Sequence, residues 1–348
     1  MSYMPVYWKT SLYDVEETMH LVKKGKVTMA AKSAGGRPIY TVEYGTSNLP
    51  ERKANLSSAM GGKDINCYAD KTGADYVPTV FIVGCVHGGE FEGTSAVLNL
   101  IKMIETGTDY AGNTNAELLA WAEKTHLILI PIVNPDGRAR VPFHSFVDRT
   151  FYELRYYDQG TWKDGSLCNW PDCKKVHPIK DYVDYLGAYF NDDGVNMMHE
   201  NFFGEVSTGT RLVLDICDRE APDYSILLHG GSNSVNHMIA PTYASQNAKN
   251  EVYELEQAIF AVCEKEQVRY KVLGLSNSEK NANSPSFNLP SAMHHCCGTP
   301  AVTFESNQGL SEYVTPTSII CDYEEIYKMH MILFSETMRY YLKKFGKI

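Results

Sequence analysis

The chain has 348 residues, of which 44% are apolar, and its formal net charge is −10. This length suits one large α/β domain or two small ones, and the composition is ordinary for a globular protein. An acidic chain without a basic cluster argues against nucleic acid or an anionic membrane surface as a partner. No apolar run approaches the ~18 residues that a membrane span needs.

Two features favour a cytoplasmic protein. The first residues lack the basic region followed by an apolar region that marks a secretory signal. The nine cysteines are odd in number and scattered along the chain, with Cys296 and Cys297 adjacent. This pattern is typical of reduced thiols rather than of a disulfide framework.

The secondary structure of the first part of the chain follows from hydrophobic periodicity and turn residues. A first helix is predicted after Ser11, whose spacing to Asp14 resembles a capping box. The other predicted elements are strands at 26–33, 38–44, 79–86 and 127–133, helices at 91–105 and 116–124, and a turn at 134–137.

The segment from about 140 to 193 is rich in Tyr, Trp and Asp and shows little periodicity. We interpret it as an insertion of loops and short elements that covers one face of the domain. Beyond it, the pattern predicts helices near 209–219, 247–266 and 323–344, with strands at 224–228, 268–273 and 301–304. The alternation of strands and helices predicts a single α/β domain over residues 1–348, with a mixed, mostly parallel sheet between helices.

Three of the predicted strands end in residues that could build a metal centre. His87 and Glu90 stand where the 79–86 strand meets the next helix, and His229 closes the 224–228 strand. Ligands collect beyond the carboxyl ends of parallel strands, so these side chains are expected at one edge of the sheet. Two imidazoles and a carboxylate suit a catalytic zinc, which takes about three protein ligands. Glu305 follows the 301–304 strand and could move a proton from water to a leaving nitrogen.

Taken in order, these residues resemble the zinc carboxypeptidase family typified by carboxypeptidase A. The matching segments are Gly35-Gly-Arg-Pro-Ile-Tyr40, His87-Gly-Gly-Glu90, Asn134-Pro-Asp-Gly137, Gly194-Val-Asn-Met-Met-His-Glu-Asn-Phe202, His229 and Glu305. The resemblance implies a central sheet of the eight-stranded type flanked by helices. It also implies one zinc ion held by His87, Glu90 and His229, with Glu305 as the general base.

The family also has an arginine, shortly after the Asn-Pro-Asp-Gly turn, that polarises the carbonyl of the cleaved bond. Arg149 lies close to the usual spacing, and Arg138 and Arg140 are rivals for the role. A guanidinium suits the task because its charge is fixed and its donors can meet a developing oxyanion.

The segment 194–202 departs from the family pattern. The family's Asn-Arg pair, which binds the terminal carboxylate of the substrate, is replaced by His199 and Glu200, and Asn201 follows them as in the family. These three residues, with Arg138, are predicted to contact the substrate, and Glu200 would repel a substrate carboxylate if it faced the pocket. Asn196 stands where the family's Asp orients a zinc-bound histidine, and it could accept the same hydrogen bond without a charge.

The sequence therefore predicts a zinc-dependent hydrolase of a peptide or small amide, with altered recognition of the substrate's end. Its substrate would lack a free α-carboxylate or would carry a cation near the cleaved bond. Two alternatives stay open. One is a deacylase of N-acyl amino acids that uses the same zinc ligands. The other is a non-catalytic zinc protein that binds a ligand without turnover.

Overall fold

A computed structural model describes residues 3–274 and 286–348 of the chain. Its main sheet has seven strands in the order β1-β2-β4-β3-β7-β9-β8. The strands are β1 (Lys26–Lys32), β2 (Pro38–Tyr44), β3 (Thr79–Gly84), β4 (His126–Ile130), β5 (Gly160–Trp162), β6 (Val183–Leu186), β7 (Tyr224–Gly230), β8 (His237–Ile239) and β9 (Ala301–Ser306). The short strands β5 and β6 form a separate antiparallel pair.

The four central strands β4, β3, β7 and β9 are parallel to one another, and the flanking strands are antiparallel. The prediction of a single mixed α/β domain with parallel strands at its centre is confirmed. The described residues give the sheet seven strands, where the resemblance implied the eight-stranded type.

Ten helices lie within the described ranges. They are α1 (Leu12–Leu21), α2 (Leu56–Gly61), α3 (Glu92–Thr106), α4 (Ala116–Ala122), α5 (Pro135–Arg140), α6 (Phe151–Gln159), α7 (Thr208–Glu220), α8 (Gln246–Glu266), α9 (Leu289–Cys297) and α10 (Tyr323–Lys344). No helix in this part of the chain is both long and apolar enough to cross a bilayer.

The sheet is buried on both faces because successive side chains of a strand point to opposite sides. In β3, Val80 and Ile82 pack against α3, α8 and α10, whereas Phe81 and Val83 pack against α7 and α9. This double burial explains why the central strands read as continuous apolar runs without alternation.

Residues 141–207 form a layer over the carboxyl end of the parallel strands, and we call them the covering segment. They contain α6, the β5–β6 pair and three single turns of 3-10 helix at Asp172–Lys174, Lys180–Tyr182 and Met197–His199. Their side chains form a small apolar cluster of their own around Cys173, Ile179 and Phe190. This combination of short elements accounts for the lack of periodicity in the sequence.

Two predicted elements were wrong. The predicted strand at 268–273 is reduced to one bridge between Tyr270 and Asn236, because the Asn236 side chain donates to the Arg269 carbonyl instead of leaving it to a strand partner. The predicted turn at 134–137 is the start of helix α5, since the Asn134 side chain accepts from the Gly137 N–H and caps it. The sequence also gave no prediction for α2, β8 or α9.

Candidate metal centre

The carboxyl ends of β3, β7 and β9 bring the predicted site residues together at one edge of the sheet. His87 and Glu90 lie in the turn between β3 and α3. His229 on β7 and Glu305 on β9 are register partners on neighbouring parallel strands. Paired positions of adjacent strands place their side chains on the same face, so the topology itself sets Glu305 beside His229.

The three predicted zinc ligands converge through specific atoms. The Nδ1 atom of His87 lies 2.9 Å from Oε1 of Glu90, and the Nδ1 atom of His229 lies 2.8 Å from Oε2 of the same carboxylate. The ligand atoms of these three buried residues lie within 4.8 Å of one another. The two imidazole rings meet edge to face, with centroids 4.8 Å apart.

The far side of the His87 ring is also fixed. Its Nε2 atom lies 3.2 Å from Oδ1 of Asn196, at the end of the covering segment. Asn196 is itself placed by its backbone N–H, which donates to Nε2 of His177 at 2.9 Å. A partner on the second ring nitrogen orients a metal-binding histidine, and here that partner is an uncharged amide oxygen.

The electrostatics of the cluster favour an ionised carboxylate between the two imidazoles. Burial alone would raise the pKa of Glu90, but the adjacent His87 and His229 outweigh burial and lower the pKa to about 2. Burial lowers the pKa of His87. For His229, the Glu90 carboxylate overcomes the effect of burial and raises the pKa.

This donor set fits a zinc ion. Two imidazole nitrogens and one carboxylate converge in a buried cluster. A catalytic zinc ion commonly takes three such protein ligands and keeps its fourth coordination position open for water. The Nε2 atom of His229 is buried and has no hydrogen-bond partner among the described residues. The ring therefore contacts the cluster through Nδ1, and the buried Nε2 atom is the nitrogen left available to a further ligand such as a metal ion.

Glu305 lies beside the ligands but outside the cluster of three. Its side chain is partly exposed. Loss of surrounding water raises its pKa to about 7; Glu90 adds to the shift, whereas His229 and Lys174 oppose it. A carboxylate with a pKa near neutrality can both accept and return a proton, which is what a general base in hydrolysis must do.

The two glycines of the His87–Glu90 turn are required by close packing. A Cβ atom at position 88 would overlap the backbone of Gly137 and Arg138, and one at position 89 would overlap the carboxyl group of Asp158. Asp158 lies at the end of α6 and is 1% exposed. Burial, together with Glu90 and Glu92, raises its pKa well above the usual range, which favours a neutral acid packed against the metal turn.

Sequence reasoning missed the residues by which the covering segment contacts the site. The Tyr189 ring stacks on the His87 imidazole, with centroids 3.9 Å apart and an interplanar angle of 13°. Asp158 and His177 come from the same segment. The Gly88-Gly89 pair was the one usable signal, because adjacent glycines beside a ligand indicate close approach of other chain segments. Nothing in the sequence identified which segments those were.

The three arginines considered as electrophiles are engaged elsewhere. Arg138 is buried and donates to the carbonyls of Thr10, Val141 and Phe143. Arg149 donates to Glu153 and lies over the ring of Phe143, and Arg140 pairs with Asp192. These contacts use each guanidinium to hold the chain in place, so the mechanism proposed below does not rely on any of them.

Glu200 is held by the start of α7. Its two carboxylate oxygens accept from the Ser207 N–H at 2.6 Å, from the Ser207 hydroxyl at 2.6 Å, and from the Thr210 hydroxyl. These contacts satisfy the carboxylate at a helix N-terminus, where a negative charge is stabilised. The expectation that Glu200 repels substrate carboxylates therefore has no support in its contacts.

The neighbours of Glu200 differ from it. His199 contacts the Ser286 hydroxyl at 3.1 Å, and burial lowers its pKa to about 3, with the charges of Lys174, His87, His177 and His229 adding to the shift. It is thus a neutral imidazole close to the metal ligands. Asn201 is exposed, and its side chain accepts from the Phe203 N–H within its own loop.

The comparisons with known proteins agree with this geometry. The family model described as zinc carboxypeptidase matches residues 21–288. The chain therefore belongs to the zinc carboxypeptidase family. A search of curated proteins gave no match.

Among solved structures, the fold is similar to a metallo-carboxypeptidase from Burkholderia cenocepacia, with 13% identity and a TM-score of 0.60 over 96% of this chain and 70% of that one. A metallo-carboxypeptidase from Pseudomonas aeruginosa, in complex with (2-guanidinoethylmercapto)succinic acid, gives 13% identity and a TM-score of 0.56. The match covers 95% of this chain and 67% of that one. Carboxypeptidase A from Helicoverpa armigera gives 14% identity and a TM-score of 0.55 over 98% of this chain and 75% of that one. At these identities the likeness concerns the fold.

Proposed function

We propose that the protein is a zinc-dependent hydrolase that cleaves a peptide or small amide with water. The observation that carries the proposal is the adjacency of His229 and Glu305, which pair in register at the carboxyl ends of β7 and β9. This arrangement puts a carboxylate with a pKa of about 7 next to a cluster of two imidazoles and an ionised carboxylate. Family membership supports the same reaction class.

His87, Glu90 and His229 would hold the zinc ion. When bound, zinc supplies a Lewis acid that lowers the pKa of water and polarises a carbonyl group. Asn196 and Tyr189 orient His87. The Asn196 side chain contacts the Nε2 atom of His87, and the Tyr189 ring stacks on the face of its imidazole. Both contacts restrict the rotation of His87, so its Nδ1 atom stays directed toward the site.

Glu305 is the proposed general base. One of its carboxylate oxygens takes a proton from the attacking water, and the resulting carboxylic acid passes that proton to the leaving nitrogen. A pKa close to the working pH suits both transfers. His199, a neutral imidazole near the ligands, is proposed to contact the substrate as a hydrogen-bonding group.

Metal analysis and the kinetics of Glu305→Gln test the proposal. We expect one zinc per chain in both forms. With hippuryl-type substrates, Glu305→Gln should lose about 10²- to 10⁴-fold in kcat, which is the usual contribution of a general base. Glu264→Gln, an exposed position on α8, serves as the matched control and should leave kcat unchanged.

Two results would count against this reading. Equal rates for wild type and Glu305→Gln would remove Glu305 as the base. If one bound zinc were present without turnover on a broad panel of peptides, amides and N-acyl amino acids, the protein would instead be a binding protein.

We also propose a cytoplasmic location. All nine cysteines lie in the described ranges and none is paired, which supports a reducing compartment. Cell fractionation with an antibody to the protein would test this, and recovery in a secreted fraction would contradict it.

A further inference from the structure

We propose that Gln308 is a positioning residue that fixes the strand of the proposed general base against the turn that carries two of the proposed metal ligands. The inference rests on the hydrolase function proposed above and concerns the geometry of the same site. Gln308 is fully buried and lies three residues after Glu305, just beyond the end of β9. Its side chain reaches across the end of β7 toward the turn between β3 and α3.

The sheet alone does not fix this turn relative to Glu305. Strand β7 lies between β3 and β9, so these two strands share no ladder. The pairing of β3 with β7 ends at Gly84, before the turn begins, whereas Glu305 still pairs with His229 on β7. Catalytic groups must be held to within about 0.5 Å of one another's working positions, so a contact between the turn and the chain after β9 matters for the chemistry.

The Gln308 side chain makes this contact. Its Oε1 atom accepts from the backbone N–H of Ser232 at 2.9 Å, and its Nε2 atom donates to the carbonyl of Gly89 at 3.5 Å. The backbone N–H of Gln308 also donates to the Ser232 carbonyl at 2.7 Å. Gly89 directly precedes Glu90, a proposed metal ligand. Gln308 thus joins the chain segments that follow β9, β7 and β3.

Gly230 shows that this side chain crosses over β7. A Cβ atom at position 230 would lie 2.5 Å from Cδ and 2.7 Å from Nε2 of Gln308, and its three nearest neighbours outside the adjacent residues would all be atoms of that side chain. Glycine at the last residue of β7 therefore leaves the room that the crossing needs. Since Gly230 directly follows His229, the bridge passes beside a proposed metal ligand.

The second glycine after His229 makes room for the base. A Cβ atom at position 231 would lie 2.5 Å from Oγ of Ser234 and 3.3 Å from Cβ of Glu305. His229 is thus followed by two glycines, as His87 is, and both pairs lie where other chain segments approach closely. The pattern after His229 is accounted for by Glu305 at one position and by Gln308 at the other.

The residues just before Gln308 make the bridge rigid. Ser306 and Asn307 are fully buried. The Ser306 hydroxyl donates to the His229 carbonyl at 3.1 Å, and the Asn307 side chain donates to the Ser234 carbonyl at 2.9 Å. A buried polar network whose groups are paired restricts motion. Both of these contacts end on β7 or on the loop after it, whereas the Gln308 amide continues to the turn after β3.

The test uses the full chain and measures metal binding first. Gln308→Met keeps the length of the side chain and removes both hydrogen-bonding groups. We expect its zinc affinity, measured by competition with a chelator, to fall by about 10- to 100-fold, as is usual when a residue that orients metal ligands is lost. The absorption bands of the Co²⁺-loaded protein should shift, because Glu90 moves relative to the two histidines. The kcat on hippuryl-type substrates should fall by about 10²-fold with little change in KM, since the base is misplaced.

Asn99→Leu is the matched control. Asn99 is an equally buried amide on α3, and its side chain donates to the Tyr7 carbonyl and accepts from the Tyr110 N–H. This variant removes a bridging amide of the same kind from another part of the core. It should lower the free energy of unfolding and leave zinc affinity and the Co²⁺ spectrum unchanged. An equal loss of zinc affinity in both variants would reduce the effect to general destabilisation and overturn the proposal.

A second variant, Gly230→Ala, displaces the bridge without changing Gln308. It should lower zinc affinity about as much as Gln308→Met does. In the Gln308→Ala background the crossing side chain is gone, so the same methyl group should cause no further loss, because both changes act through one contact. A full loss from Gly230→Ala in that background would show that the methyl group acts on His229 directly, and the bridge would have no role.

Metal binding separates this inference from the hydrolase proposal. If Gln308→Met and Gly230→Ala kept the zinc affinity, the Co²⁺ spectrum and the kcat of wild type, the role of Gln308 would be overturned, even if wild type hydrolyses amides. If both variants lost zinc affinity while wild type turned over no peptide or amide, Gln308 would keep its role toward the metal ligands and the hydrolase would be overturned.

Discussion

The edge of the sheet and the covering segment contribute to the site in different ways. The edge supplies His87, Glu90, His229 and Glu305, each at or just beyond the end of a buried parallel strand. The covering segment supplies Tyr189, Asn196, Asp158 and His177 from single turns and short elements. The edge thus supplies the residues proposed for metal binding and proton transfer, whereas the covering segment packs against them.

This difference teaches which part of the site is set by topology. Strands β7 and β9 pair in register, so the separation of His229 and Glu305 follows from the sheet itself. The covering segment has no such ladder, and its position depends on ring stacking, one amide hydrogen bond and a small apolar cluster. Substitutions in the two regions should therefore have different consequences.

Loss of a ligand from the edge should have the largest effect. Substituting a residue that only hydrogen-bonds to a metal ligand typically lowers metal affinity by roughly 10- to 100-fold. We expect His229→Ala, which removes a ligand itself, to lower zinc affinity by more than this. Hydrolysis should fall with the zinc content. Equilibrium dialysis with zinc and metal analysis measure this directly.

The matched control for His229→Ala is His126→Ala. His126 is also buried, but it lies at the start of β4, at the opposite end of the parallel strands. His126→Ala should lower the free energy of unfolding without altering zinc affinity. If His229→Ala kept wild-type affinity, the edge would not be the metal centre.

The same difference explains what the sequence could predict. Helix α10 was predicted with its observed bounds, and β2 likewise, because each combines a clear periodicity with clear ends. His87, Glu90 and His229 could be singled out because each follows a buried apolar run, and the structure brings them into one cluster.

The substrate side could not be predicted in this way. Glu200 was assigned to the pocket from its place in a motif, but Ser207 and Thr210, beyond that motif, take up its carboxylate. Tyr189 was overlooked because no periodicity or motif surrounds it. Its stacking on His87 depends on packing against the cluster around Cys173, which is 16 residues away in a segment of short elements.

The contact between the two regions can be broken at Gly89. A methyl group at this position would overlap the Asp158 carboxyl, so Gly89→Ala should lower the free energy of unfolding by about 1–3 kcal/mol through overpacking. It should also weaken zinc binding, because the displaced turn carries Glu90. Denaturant unfolding and zinc titration would measure the two effects.

A double mutant identifies the cause of that loss. Asp158→Ala removes the atoms that the new methyl group would meet, so Gly89→Ala should cost less in the Asp158→Ala background than in wild type. Gly61→Ala is the matched control, because no atom lies within 4 Å of a Cβ at that position. An equal cost of Gly89→Ala in both backgrounds would show that Asp158 does not fill the space.

The smallest effect is expected from a substitution at Glu200. This substitution tests whether the side chain has a structural role in the covering segment or a role in substrate selection. Glu200→Gln keeps the size of the side chain and removes its charge from the start of α7. Since Ser207 and Thr210 then donate to a neutral group, the free energy of unfolding should fall by about 1 kcal/mol. Glu205→Gln, an exposed change in the same loop, should have no such effect.

The preference of Glu200→Gln for hippuryl-phenylalanine over its amide decides between the two roles. If the carboxylate serves α7 alone, kcat/KM for the acid and for the amide should keep the wild-type ratio, because the charge facing the substrate is unchanged. If instead the variant gained about tenfold on the free acid alone, Glu200 would be repelling that substrate, as one charge facing another would require. In that case the carboxylate would leave α7 when substrate binds.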